Sequence, residues 1–227
     1  MNKKLVIWSG GLDSTTVLYE VLQQRETDSV VALHFLYGSK HTQKENEAIQ
    51  LILGDITTKQ ICPINVIYIN LEFINEYFKS DLLQSGGKIP IGHYEDSNMK
   101  KTVVPFRNGI MLTIACGYAN SHGIKDVYIG THQGDHTIYP DCRELFIKKI
   151  NEAVNEGIYG DINIEAPFIN KKKSSIVSAG NLFGVPFEHV WTCYKGEDIH
   201  CGVCGACVER REAFKIAHVP DPTSYLH

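Results

Sequence analysis

No run of about 18 apolar residues occurs in the chain, which excludes a membrane-spanning helix of ordinary length. The opening residues Met1 to Lys4, followed by Leu5 to Trp8, lack the long apolar stretch and small-residue cleavage site of a secretory signal. A cytoplasmic protein with no membrane association is expected. Basic charge is not in excess: 22 Lys and Arg against 26 Asp and Glu give a net charge of −4, which creates no broad field for a nucleic-acid backbone. Direct nucleic-acid binding is therefore not expected. The one basic cluster, Lys171 to Lys173, reads on charge alone as a solvated loop. Internal repeats and low-complexity tracts are absent. So is an even, dispersed set of cysteines: the count is 7, and Cys193, Cys201, Cys204 and Cys207 crowd together, which suits a metal better than a secreted disulfide framework.

What is present is an ordinary globular composition, 227 residues with 43% hydrophobic and 21% charged. Short apolar runs alternate with amphipathic stretches. Strands are predicted at 5–8, 30–35, 66–70 and 126–130, with a further short strand near 187–191. Helices are predicted after the first glycine turn and near 45–53, 105–122, 145–156 and 174–183. The alternation predicts an α/β fold, a Rossmann-like parallel sheet with helices on both faces, over residues 1–185. A small zinc-stapled unit over 186–227 is expected to pack on it. Residues 81–102 are polar, glycine-bearing and too long for a simple connection, so they are expected to fold over a site.

Ser9-Gly10-Gly11-Leu12-Asp13-Ser14 lies where a parallel sheet places its ligand, between the first strand and the first helix. Glycines let the backbone approach an anion, first-turn N–H groups point outward, and the hydroxyls of Ser9, Ser14 and Thr15 add donors. Pyrophosphate fits such a nest. The run is neither a Walker A loop, which ends in Gly-Lys-Ser or Thr, nor the dinucleotide fingerprint, whose glycine spacing differs. Asp13 has two readings, helix N-cap or ligand to a phosphate-bridging Mg²⁺.

Cys193 and Cys201-Gly-Val-Cys204-Gly-Ala-Cys207 supply four thiolates, a number and crowding that match one tetrahedral Zn²⁺ with no position left for substrate. The expected role is structural, and an iron–sulfur cluster is the rival occupant. Cys62 and Cys116 sit in apolar surroundings and read as core residues.

The glycine turn resembles the pyrophosphate loop of the N-type ATP pyrophosphatases, which cleave ATP between the α and β phosphates. Beyond it, Tyr37-Gly38-Ser39-Lys40-His41, Val104 to Gly109, Tyr139-Pro140-Asp141-Cys142-Arg143 and Thr192 to Gly196 resemble, in order, motifs of the 7-cyano-7-deazaguanine synthases. With the cysteine tail, the match runs from Ser9 to about Thr223. The resemblance implies conversion of 7-carboxy-7-deazaguanine and ammonia to the nitrile through adenylated intermediates. It implies an ATP site built from Trp8, Ser9, Gly10, Gly11, Leu12, Asp13, Ser14, Thr15 and Thr16 with His34 and Lys173. Adenine is recognised there by backbone, which leaves the His34 ring idle. Asp13, Lys173, Arg107 and Arg143 are the implied catalytic residues, and Tyr37, His93, Tyr94, Arg107, Asp141 and Arg143 the implied substrate contacts. Ser175 stands where relatives often carry an acidic residue. Each arginine has the alternative of a surface ion pair, each aromatic that of loop packing. Cys142 tempts a covalent reading, but adenylation already activates the acid and no nucleophile is required. A homodimer is implied only by the habit of relatives. Three rival functions are a tRNA-thiolating pyrophosphatase, against which the charge balance speaks, a zinc ribbon that binds nucleic acid or a partner protein, and the same adenylation chemistry with an amine acceptor other than ammonia.

Overall fold

The computed structural model describes residues 2–227. Among them, five strands form one sheet in the order β3-β2-β1-β4-β5. They are β1 Lys3–Ile7, β2 Ser29–Leu36, β3 Ile64–Asn70, β4 Asp126–Tyr128 and β5 Asn163–Glu165. All pairings are parallel, with β1 central between β2 and β4. Seven α-helices cover it: α1 Leu12–Leu22, α2 Thr42–Lys59, α3 Phe73–Tyr77, α4 Arg107–Ser121, α5 Glu144–Glu156, α6 Lys173–Phe183 and α7 Gly205–Ala217.

The strands are apolar on both sides because both sides are covered. Alternation along β1 sends Leu5 and Ile7 into one core with Leu112 of α4 and Ile147 of α5. Val6 and Trp8 enter the other, with Leu18 of α1, Ile49 of α2 and Ile176 of α6. Residues beyond 185 share both cores: the four clustered cysteines belong to the first, Ala213 and Phe214 to the second.

Three expectations are corrected. Residues 187–191 form a turn, not a strand: His189 N–H donates to the Pro186 carbonyl, and Trp191 N–H donates to the Gly10 carbonyl at 3.1 Å, so this segment props the glycine turn instead of extending the sheet. β5 was not anticipated, because three residues with one buried side chain give no periodic signal. Nor was α7, whose cysteines and glycines at the start hide its helical pattern. The segment 81–102 does fold back. The ammonium of Lys40 gathers the carbonyls of Asp81, Leu83 and Gly86, and Gly92 N–H donates to the Val203 carbonyl in the cysteine loop.

Candidate functional site

The turn after β1 opens into a cavity of about 210 Å³ at the carboxyl end of the strands. Two glycines permit the close packing around it. Gly10 has φ +79°, and a Cβ there would meet the Glu45 carbonyl at 2.9 Å. At Gly130, just past β4, a Cβ would meet Ser14 N at 2.9 Å, so the missing side chain lets the first turn of α1 sit against the sheet edge. The Ser9 and Ser14 hydroxyls lie 3.1 Å apart, and Ser9 Oγ accepts from Gly11 N–H, which fixes the turn from within. First-turn amides of α1 have no intrahelical acceptor and face the opening.

Trp8, Ser9, Gly11, Leu12, Asp13 and Ser14 line this cavity. Thr15 and Thr16 do not, contrary to expectation. Both are fully buried: Thr15 Oγ1 accepts from Trp8 Nε1 at 3.0 Å, and Thr16 donates to the Leu12 carbonyl at 2.9 Å, so their hydroxyls stiffen the helix. Gly10 backs onto α2. His34 lines the cavity and is 1% exposed; its Nδ1 faces the Trp8 carbonyl at 3.1 Å, an acceptor, so Nδ1 carries the hydrogen.

A charged wall faces the glycine turn. Lys173 Nζ lies 2.6 Å from Asp13 Oδ2 and 3.4 Å from Glu209 Oε2. Burial opposes the Lys173 charge, but Asp13, Glu209 and Asp135 outweigh it and hold the ammonium above the ordinary lysine range. Lys171 and Lys172 are exposed. His132, wholly buried, accepts Gly134 N–H at Nδ1 and turns Nε2 toward Asp13, Asp135 and Glu209 at 3.8, 3.6 and 3.7 Å. Burial pushes the Glu209 carboxyl up, with Lys173 and His132 offsetting part of this. Asp13 Oδ1 is buried with no partner, a lone acceptor that suits a divalent cation. Sequence reasoning missed His132, Asp135 and Glu209. They lie in segments whose other residues carried the recognisable pattern, and only folding brings them to Lys173.

Another part of the cavity lining is aromatic and carries a guanidinium. Arg107 donates to the Tyr37 hydroxyl at 3.3 Å and lies over that ring, 5.6 Å from its centre. Burial works against its charge; Tyr37 and Asp141 outweigh it and raise it further. Tyr139 and Tyr194 complete this part, joined hydroxyl to hydroxyl at 3.4 Å, with Thr102 2.9 Å from Tyr139. Neither tyrosine was singled out from sequence.

Several expected contacts sit elsewhere. Asp141 is buried and accepts Asn108 N–H at 2.8 Å, so it caps α4 instead of facing a ligand. Arg143 is exposed and donates from Nε to the His136 carbonyl at 3.0 Å, pointing away from the cavity. His93 stacks on Tyr94 at 4.1 Å and pairs with Glu212 at the surface. Tyr94 reaches a separate, smaller cavity. Cys142 lines the main cavity, but burial pushes its thiol well above the ordinary range and Asn108 Nδ2 donates to its sulfur. It is no ready nucleophile.

The sulfurs of Cys193, Cys201, Cys204 and Cys207 all lie within 4.8 Å of one another and are buried. Tetrahedral zinc bonds of about 2.3 Å place sulfurs roughly 3.8 Å apart, so the set fits a four-thiolate ion. Cys201 N–H and Cys204 N–H donate to Cys193 Sγ and Cys201 Sγ, the outer-sphere bonds that ligating sulfurs need.

Comparison with known proteins agrees with this geometry. The model of the family described as "Queuosine biosynthesis protein QueC" matches residues 3–218. A 7-cyano-7-deazaguanine synthase of Porphyromonas gingivalis is 47% identical over 97% of this chain and 96% of its own. Proteins of the same name from Desulfotalea psychrophila and Psychromonas ingrahamii are 44% and 41% identical, over 100% and 99% of both chains. Among solved structures, the U34-tRNA thiolase NcsA of Methanococcus maripaludis with its 4Fe-4S cluster overlaps at a TM-score of 0.44 and 12% identity, over 81% of this chain and 57% of that one. That likeness is too loose to bear on function.

Proposed function

The chain belongs to the QueC family, and from that premise we propose that it converts 7-carboxy-7-deazaguanine and ammonia to 7-cyano-7-deazaguanine, with ATP cleaved to AMP and pyrophosphate. The observation that carries this reading is one cavity lined by two unlike sets of groups: the glycine turn with Asp13 and Lys173, and Arg107 with Tyr37, Tyr139 and Tyr194.

A carboxylate is a poor electrophile because its oxygen leaves badly. Attack of the substrate carboxylate on the α-phosphorus expels pyrophosphate and leaves an acyl adenylate. Ammonia then adds to the acyl carbon, AMP departs with the electrons of the C–O bond, and the nitrogen sheds its surplus proton to give the amide. In a second round the amide oxygen takes AMP from another ATP. Loss of that AMP and of the remaining nitrogen protons gives the nitrile.

The amides of the turn from Ser9 to Ser14 would hold the pyrophosphate, and Lys173 would neutralise charge developing on it. Mg²⁺, when bound, supplies further positive charge on the phosphates, and Asp13 with its unpartnered oxygen would hold it. Arg107, braced on Tyr37, would hold the substrate carboxylate or the α-phosphate. Tyr37, Tyr139 and Tyr194 offer faces and hydroxyls to a planar deazaguanine. The four cysteines would hold one structural Zn²⁺, which fixes α7 and therefore Glu209. Residues 1–185 and 186–227 remain our proposed division, and a cytoplasmic homodimer our expected assembly. Incubation with ATP, Mg²⁺, 7-carboxy-7-deazaguanine and ammonium, followed by mass spectrometry, should yield AMP, amide and nitrile. Formation of ADP in place of AMP would sink the proposal, and an amide bearing another amine would redirect it.

A further inference from the structure

Adenylation accounts for the oxygen that must leave, but not for the hydrogens. Counting from ammonia, every N–H bond breaks before a nitrile is reached, and each proton needs an acceptor. Formation of the acyl adenylate breaks none. A base at the reacting nitrogen is therefore a requirement separate from the phosphate and carboxylate contacts.

Two histidines line the main cavity, His34 and His41. His34 spends Nδ1 on the Trp8 carbonyl and meets Tyr68 edge-on at 5.5 Å. His41 differs in having a carboxylate beside it: Nε2 lies 3.6 Å from Glu45 Oε1, one turn along α2. Glu45 lines the same cavity, and the two residues are only 7% and 6% exposed, Glu45 first. His41 is the N-cap residue of α2, yet its side chain makes no capping bond. Its Nδ1 is buried without a hydrogen-bond partner. Whichever protons the ring carries, that atom is an orphan within the protein, and a ligand in the cavity would satisfy it. The pair adjoins the groups around Arg107. The His41 ring tilts against Tyr194 at 5.7 Å. The Tyr37 hydroxyl, which accepts from Arg107, lies within electrostatic reach of Glu45.

We infer that His41 is the general base of the reaction, taking protons from the substrate nitrogen at Nδ1, with Glu45 as the residue that positions its ring. This role deepens the function proposed above and rests on it. In the first transfer, ammonia bonds to the acyl carbon, the surplus proton moves to Nδ1, and AMP leaves with the C–O electrons. In the second round, the amide nitrogen becomes doubly bonded to carbon as its oxygen takes AMP. It gives one proton to Nδ1 and keeps the electron pair. The last N–H pair becomes the third C–N bond as AMP departs. Between transfers the imidazolium returns its proton to solvent, and the Glu45 carboxylate stabilises the charge while it lasts.

The steps can be measured apart in the metal-loaded protein. Acid-dependent exchange of pyrophosphate into ATP, run without ammonium, reports adenylation alone, and His41→Gln should keep it within about threefold of the parent. Amide formation from the acid, and nitrile formation from supplied amide, should both fall by about 10²-fold or more, as loss of a general base predicts. Glu45→Gln should show the same split at about tenfold. A histidine that only supports the cavity would lose exchange and amide formation together. That parallel loss in His41→Gln, or an undiminished rate of amide formation, would overturn the inference. Should His41→Gln fail to fold, the presence or absence of the split in Glu45→Gln decides alone. Absence of pyrophosphate exchange in the parent protein would instead remove the adenylation reading, and this role with it.

Discussion

Lys173 and Asp13 meet at 2.6 Å across 160 residues of chain, the first residue of α6 against the first turn of α1. The pair joins the helix that carries the glycine turn to the helix that follows the last strand. Both partners face the same cavity.

Lys173→Met should therefore lower kcat/KM for ATP by about 10²–10³, the loss typical of removing one preorganised positive group. Asp13→Asn should act in the same direction, since it removes the acceptor proposed for Mg²⁺ and leaves Lys173 without its nearest partner. Pyrophosphate exchange measures both. A fall of less than about tenfold in each variant would contradict the assigned roles.

Metal content supplies a second test. One zinc per chain is expected, and Cys193→Ser should lose it. Chelation should lower the melting temperature and the activity together, because Glu209 lies two residues beyond Cys207 on α7. Full activity in a metal-free, folded protein would refute the structural role. A brown protein with visible absorbance and no zinc would refute the identity of the ion.

Arg210 is fully buried and donates to the Phe187 and Val190 carbonyls, to Thr192 and twice to Asp221. Arg210→Met should destabilise the protein by about 3–5 kcal/mol in denaturant unfolding, because it strands a partly buried carboxylate and two carbonyls. Burial pushes the Asp221 carboxyl up, yet Arg210 and the Tyr225 hydroxyl outweigh it and hold the group below its ordinary range. A depressed folded pKa contributes stability above the unfolded value of about 3.9 that is lost as pH falls through the folded value. The variant should show less of this acid-side loss than the parent.

Cys142→Ala should retain activity within a few-fold, and the parent thiol should resist alkylation at neutral pH. Its environment keeps the sulfur protonated, and Asn108 already donates to it. Loss of all turnover with the adenylate still forming would reinstate covalent catalysis.

Much of this was legible in the linear sequence. The parallel α/β pattern, the anion-binding turn and the four-cysteine metal set depend on local spacing, and local spacing is what periodicity and motifs report. Lys173 could be separated from Lys171 and Lys172 only through the resemblance; the fold supplies the physical reason, since Lys173 alone is turned to Asp13. The errors fall where a residue's direction depends on distant parts of the chain. Arg143 and Asp141 carry suitable chemistry within a recognisable motif, yet a three-residue 3-10 turn at Pro140–Cys142 sends one to solvent and the other to the end of α4.

By itself, then, the sequence determined which groups are available: a glycine turn for phosphate, thiols for a metal, apolar faces for a covered sheet. Only the tertiary structure decided which groups meet. His132 with Asp135, Lys173 and Glu209 come from three separate places in the chain, and the parallel crossovers bring them to the same end of the sheet. Their mutual electrostatics arise from that convergence, because charges act through space and spacing along the chain does not encode it.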